Sequence, residues 1–482
     1  MKKNNLNKIV IGSIAILPLF MEMSCKKDFL DITPKTQLAQ ADAFATPARV
    51  ESQVNSVYNG LKSGQFLGGR YQIYMDIRGE EFINNLSNGV TGLDTWRFNV
   101  NSNTNEVVNL WSAAYTAINR ANLLIDGLVA NPNSVSADLA KQYTAEAKFC
   151  RALAYFELIQ LYAKPFLADN GASPAVPLRL KGELTAENND LKRSTVAEIY
   201  TQILKDLNEA EADLPLTAIP TRAHRNAAIA LKTRVYLAQG NYAQVVTEAN
   251  KIVSAAAPFT AATGNINTLE AKISAVFEGS YVGSEAILSL PMTDLSAPGT
   301  QNQLAYYYNV AAGGGNEEYY FNTAANGIYS NPALSGATSL DARKGFVGIS
   351  KTKFFLTKFK KPSPYTDYVP VIRYAEVLLN LAEASVRTGD VVRATALLNA
   401  VRHRSDPAYT FSAAETSTPA TLLITISTEK RLELLGEGFR SFDITRLNLP
   451  FPAKGAAPAV ESTSPAYIWP ISSGEIQNNK SL

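Results

Sequence analysis

Three carboxylates at helical spacing are the first residues in this chain that could do chemistry. Glu429, Glu433 and Glu437 follow one another at i and i+4 in STEKRLELLGEGFRSFDITR, with Arg431, Arg440 and Arg446 between or just behind them. A glycosidase needs two carboxyl groups flanking the scissile bond, about 5 to 9.5 Å apart. Residues at i and i+4 project from one face of one helix, so they do not bracket a sugar ring. The pattern predicts ion pairs instead, made among these glutamates, Arg431, Arg440 and Arg446, that hold the last helices in register. Other catalytic material is sparse. His224 and His403 are the only histidines, each beside arginines on a predicted helix and expected at the surface or between helices. Ser350 with Lys353 and Ser427 with Lys430 fit SxxK but lack companion motifs. HExxH, P-loop, GxSxG and CxxC patterns are absent from the sequence. We therefore read no catalytic residue, no cofactor and no metal site. The acids of 76–81 would suit calcium chemically but lack EF-hand spacing.

Binding chemistry is more visible. Trp96 stands in TGLDTWRFNVNSN with Arg97, Asn99 and Asn101 close by. Further on come Tyr306, Tyr307 and Tyr308, then Gly313 to Gly315, then Tyr319, Tyr320 and Phe321. Aromatic rings lie against the apolar face of a pyranose, and amides and guanidinium groups satisfy its hydroxyls; the same set would hold a peptide. Packing of the tyrosines onto a helical scaffold is the competing reading for each of them. A second candidate group, Tyr71, Tyr74, Asp76, Arg78, Glu80, Glu81 and Asn84, lies in YQIYMDIRGEEFINNLSNG, which has no helical period and is expected to be an irregular surface segment.

The elements that must position these residues are mainly helical. Stripes at spacings of three and four predict helices over 49–62, 109–128 and 137–162, and over 196–214 with Ser194 and Glu198 as its cap. Two hairpins follow. One spans Asn226 to Val253 around Gly240-Asn241, and the other runs from Tyr368 through Val401 around Gly389-Asp390. Neither helix of such a pair buries its stripe alone, so both hairpins read as tetratricopeptide-like units. They lie too far apart for a tandem array, which predicts a mostly α scaffold of stacked helix pairs with long insertions. We divide it into residues 25–257 and 258–482. Residues 258–368 are loop-rich, with short strands in SEAILSLPM and FFLTKFK, and 369–448 are helical. Trp111 is expected in the core, and Cys150 as a small buried apolar residue.

Residues 1–24 read as a lipoprotein leader. Lys2, Lys3 and Lys8 precede an apolar run from Ile9 to Phe20, and Ser24 precedes Cys25, the residue expected to be acylated. Glu22 departs from the aliphatic residue usual three places before such a cysteine. The formal charge of +2 gives no footprint for nucleic acid.

Many ordered positions resemble the SusD/RagB family of Bacteroidetes outer-membrane lipoproteins. They are Trp111, Ala114, Tyr115, Ile118 and Asn122; Glu146, Ala147, Arg151, Ala152, Tyr155 and Leu161; Arg373, Tyr374, Glu376, Leu379, Glu383 and Ala384; Leu398, Asn399, Val401 and Arg402; and Glu429, Arg431, Glu433, Leu434, Glu437, Gly438, Arg440, Asp443 and Arg446. KKDFLD after Cys25 and the terminal YIWPISSGEIQNN match as well. The resemblance implies a lipid-anchored protein of the outer membrane, facing outward, with Asp28 and Asp31 supplying the acidic export signal. It also implies capture of oligosaccharides and delivery to a SusC-like TonB-dependent transporter, which the protein covers as a lid. The RagB branch implies peptides in place of glycans, and a gating subunit without its own ligand is the third reading. Ligand contacts are then expected from Tyr74, Arg78, Trp96, Asn99, Asn101, Tyr306, Tyr307, Tyr308, Tyr319 and Tyr320.

Overall fold

The computed structural model describes residues 42–278 and 282–482. The leader, Cys25, Asp28 and Asp31 lie outside them. Helix α1 (Pro47–Leu61) starts where Thr46 accepts a hydrogen bond from Arg49 N, and buries Val50, Val54, Val57 and Leu61 as one stripe. After α2 (Arg70–Ile77), β1 (Phe82–Asn84) and α3 (Leu93–Trp96) come the two longest helices, α4 (Asn105–Ala130) and α5 (Ala137–Tyr162). They pack on each other, with α1 on α4 and α7 (Val196–Asp213) on α5. Between α5 and α7 lie α6 (Phe166–Asp169) and the β2 (Pro174–Pro177) and β3 (Arg193–Thr195) pair.

The cap of α7 is Thr195, not Ser194. Its side chain accepts from Glu198 N at 3.2 Å while the Glu198 carboxylate takes Thr195 N at 2.7 Å. Thr195→Ala is expected to cost about 1 kcal/mol, read as a lowered urea midpoint. An unchanged midpoint would show that tertiary packing alone sets where α7 begins.

The first hairpin is α8 (Arg225–Ala238) and α9 (Tyr242–Ala249). Short elements then follow: α10 (Ile273–Val276), β4 (Ala286–Leu290), α11 (Leu304–Tyr308), β5 (Tyr319–Phe321), α12 (Pro332–Ser335), β6 (Val347–Ser350) and β7 (Lys353–Leu356). The expected strands are thus β4 and β7. The stretch expected to open the second hairpin as helix is instead strand β8 (Val369–Arg373), antiparallel to β4 with Leu290 opposite Val369 and Leu288 opposite Ile372. Pro370 has no N–H to give an α-helix, and its β-branched neighbours favour a buried strand. Helix α13 (Tyr374–Arg387) therefore begins at Tyr374. Gly389 ends it at φ +94°, where a side chain would be strained. Asp390 then caps α14 (Val391–Ser405) by accepting from Arg393 N at 3.0 Å. The chain continues through α15 (Ala413–Thr416), α16 (Pro419–Glu433), α17 (Arg440–Thr445) and α18 (Ser473–Asn478).

The two hairpins pack together, α13 against both α8 and α9. Arg234 of α8 pairs with Glu157 of α5 and Glu376 of α13, both at 2.7 Å. Elements from either side of 257/258 thus pack into one core. Helix α2 occupies what reads as a surface segment: every residue from Arg70 to Ile77 is buried. His224 is also buried, not superficial. Its Nε2 lies 3.0 Å from Ile287 O, and burial lowers its pKa to about 4.

The conspicuous glutamates do form buried ion pairs, but largely with arginines from elsewhere. Glu429 meets Arg343 and Arg402 at 2.6 Å each. Glu433 meets Arg373 at 3.0 Å as well as Arg404 and Arg343. Glu437 meets Arg373 at 2.6 Å and Lys358 at 2.8 Å. Burial pushes the Glu433 carboxyl up, but Arg404, Arg373 and Arg343 outweigh it and hold it far below the usual carboxylate range. Arg431 and Arg440 turn to Glu81 and Glu80, and Arg446 to Glu383 and Asp443.

Candidate functional site

The ten residues expected to meet ligand divide by burial. Tyr74, Arg78, Trp96, Tyr307, Tyr308 and Tyr319 belong to the interior. Trp96 Nε1 donates to Phe82 O at 2.9 Å, and Tyr319 OH donates to Thr91 O at 2.8 Å. Tyr74 OH accepts from Arg70 Nη1 at 2.8 Å, and its ring lies 5.4 Å from that of Trp469. The Tyr308 ring lies tilted 4.8 Å from that of Phe82, and Tyr307 lies parallel to Tyr319 at 6.2 Å. Arg78 donates to Tyr467 O and sits 4.7 Å from the Phe451 ring; burial pushes its pKa down to about 10. These six are therefore covered by the protein's own side chains, while the Tyr307 and Tyr308 hydroxyls and Arg78 Nε have no hydrogen-bond partner among the described residues. Asn99 and Asn101 are exposed, and Tyr306 and Tyr320 half-buried.

What the buried set does is fix a platform of loops. Glu318, itself buried, accepts from Thr91 Oγ1 at 2.8 Å, from Asn316 Nδ2 at 2.5 Å and from Asn88 Nδ2 at 3.4 Å. Arg70 donates to Val90 O at 2.8 Å and to Asn302 Oδ1 at 2.7 Å. Two charged side chains thus tie segments 85–91, 298–303 and 309–318 to α2. Buried charge-assisted bonds of this kind are stronger than neutral ones and hold loops in one geometry. On this base Tyr306 meets Tyr365 edge to face at 5.8 Å. Tyr320 lies 6.3 Å from Phe355, with Lys353 Nζ 4.4 Å from its ring centre and 2.5 Å from Asn85 Oδ1. The result is two half-covered aromatic faces bordered by amides and one lysine.

Comparison with known proteins decides the family. A family model described as starch-binding and associating with the outer membrane matches residues 28–237, and the SusD family model matches 298–482. A SusD superfamily protein from Bacteroides fragilis superposes with a TM-score of 0.82 at 32% identity, covering 92% of this chain and all of that one. The chain belongs to the SusD/RagB family. SusD-like protein P38 of Formosa agariphila is 24% identical over 96% of this chain and 95% of its own length. A laminarin-binding SusD-like protein shares the fold with a TM-score of 0.68 at 23% identity, over 90% of this chain and 98% of that one.

In this SusD-like protein several residues of the platform escape sequence reasoning. Tyr365 follows Pro362 and Pro364 in a loop that carried an aromatic signal of its own. Arg70, Glu318 and Asn302 carried none, because a charge or amide that locks a loop looks like any solvated one until its partners are known. The acidic pair Glu80 and Glu81, considered above for calcium, is spent on Arg440 and Arg431 at 2.5 Å and 2.6 Å. No group of three or more potential metal ligands occurs among the described residues. Likewise, no helix among the described residues is long and apolar enough to cross a membrane.

Proposed function

We propose that this protein binds oligosaccharides at the outer face of the outer membrane and passes them to a SusC-like TonB-dependent transporter, over which it acts as a lid. The observation that carries the reading is the pair of half-covered rings, Tyr306 with Tyr365 and Tyr320 beside Lys353, on α11 and β5 next to loops that Glu318 and Arg70 tie down. Rigid rings bordered by amides suit pyranose stacking with little ordering cost. The starch-binding description of the matched model and the laminarin-binding relative support a glycan over a peptide. Asn99 and Asn101 remain candidates for hydroxyl contacts. Binding and release need no bond-making step, so no turnover of the glycan is expected.

Tyr306→Ala and Tyr320→Ala are each expected to weaken glycan binding about tenfold, the value of one lost ring contact, while leaving the unfolding midpoint near native. Calorimetry against a panel of neutral oligosaccharides measures it. Unchanged affinity in both variants would remove the site from these loops. The anchor has its own test: after cleavage of the 1–24 leader, Cys25 carries the acyl chains, and Cys25→Ala should leave the protein out of the membrane fraction. A Cys25→Ala protein that still sediments with outer membranes would sink that assignment.

A further inference from the structure

A cleft of about 600 Å³ opens along the outer side of α4, walled by segment 179–189 and by α18. None of Tyr306, Tyr320 and Tyr365 lines it. Its floor is aromatic. Tyr115 is half-buried, fixed by its OH donating to Pro177 O at 2.7 Å, and backed by Trp111 at 5.0 Å and by Tyr155 perpendicular at 6.4 Å. Polar groups rim the ring. Glu475 accepts from Arg179 Nη2 at 3.0 Å, from Asn479 Nδ2 at 2.8 Å and from Trp111 Nε1 at 3.4 Å. Glu183 lies 3.3 Å from the same guanidinium. The far wall is clasped to the body: Asn479 bonds Leu191 N and O at 3.0 Å and 2.7 Å, and Ser473 N donates to Ser102 O at 2.9 Å.

The chemistry of this lining selects its ligand. Two carboxylates face one arginine, so a carboxylated or sulfated ligand is repelled. A purely apolar ligand would strip water from the two carboxylates and give no hydrogen bond in return. Carboxylate oxygens still have lone pairs to accept from hydroxyls, Thr116 and Ser112 add exposed hydroxyls of their own, and the free side of Tyr115 offers a flat apolar patch. The volume falls within the range of small-ligand sites. We propose that this cleft is a second binding site, taking a short neutral oligosaccharide with one pyranose face on Tyr115 and hydroxyls on Glu183 and Glu475. The proposal rests on the glycan reading above and adds a site to it.

The test separates the two. Full-length protein in detergent is titrated calorimetrically with maltoheptaose, laminariheptaose and xylohexaose in four forms: native, Tyr306→Ala with Tyr320→Ala, Thr116→Trp, and all three together. Thr116 is exposed on α4 and its hydroxyl bonds back to Ser112 O at 2.8 Å, so an indole there fills the cleft without entering the core. Ser112→Trp, one turn earlier, replaces it if that variant fails to fold. The expected result is residual binding in the tyrosine double variant that Thr116→Trp weakens about tenfold or more. Residual binding that Thr116→Trp leaves unchanged overturns the cleft while sparing the glycan reading. So does native binding that the tyrosine variants abolish completely. A native protein that binds none of the three sugars overturns both.

Discussion

Arg373→Met is expected to lower the free energy of unfolding by about 3–5 kcal/mol, the largest effect of any single substitution considered. Arg373 is 2% exposed in its side chain and pairs with three carboxylates, those of Glu285, Glu433 and Glu437. It sits at the junction of β8 and α13, so its guanidinium joins the β4–β8 sheet to the end of α16 and the loop after it. Burial disfavours its charge, but Glu437, Glu285 and Glu433 outweigh that and raise its pKa well above the ordinary value. Removing it leaves three buried acids with fewer cations among Arg343, Arg404 and Lys358 to neutralise them. The cost comes from this uncompensated charge more than from the bonds lost. Urea denaturation of native and variant protein measures it. A difference under about 1 kcal/mol, typical of exposed pairs, would mean that the network is solvated and adds little to the stability of the fold.

Acid should unfold the protein through a related cluster. Burial pushes the Glu383 carboxyl up, yet Arg446, Lys430 and Arg387 together bring its pKa down to about 2 from 4.5. Asp443, packed into the same cluster, is lowered too, burial there being outweighed by Lys430 and Arg446. A carboxyl lowered on folding binds its proton more weakly in the native state than in the unfolded one. Its contribution is therefore fully present above about pH 4.5 and lost as pH falls toward 2. For Glu383 alone the loss is about 3 kcal/mol. Glu383→Gln should be destabilised at pH 7, because Arg446 and Lys430 are left with Asp443 as their one remaining carboxylate and Arg387 loses its ion pair, and should show a shallower fall in stability between pH 4.5 and 2. Urea midpoints at half-unit pH steps test this. Parallel native and variant curves through that window would remove Glu383 as a source of the acid sensitivity.

The difference between legible and illegible features follows burial geometry. Helix α5 is predicted to the residue because its apolar pattern is local, and the structure adds the Ser136 cap, whose hydroxyl accepts from Leu139 N at 3.3 Å. Helix α2 is missed for the opposite reason. A helix buried on every side has no polar face, so no stripe at a period of 3.6 appears in its sequence. Trp96 and the tyrosines at 307, 308 and 319 show the same limit for the site. A ring can pack or bind, and what decides is whether another element covers it. Tyr306 and Tyr320 stay half-open beside covered neighbours of identical type.

The sequence by itself determined the helix hairpins at Gly240 and Gly389, the β4 and β7 strands, the family, and that Glu429, Glu433 and Glu437 enter ion pairs, since each rests on spacing or on residue type alone. Only the tertiary structure decided which arginines those glutamates meet, Arg343 and Arg373 lying 90 and 60 positions from Glu433. It likewise decided which tyrosines keep a face toward solvent, and that α4 and α18 enclose a cleft. Charge pairing and burial are set by distance in space, and distance in space is not encoded at any one position of a chain.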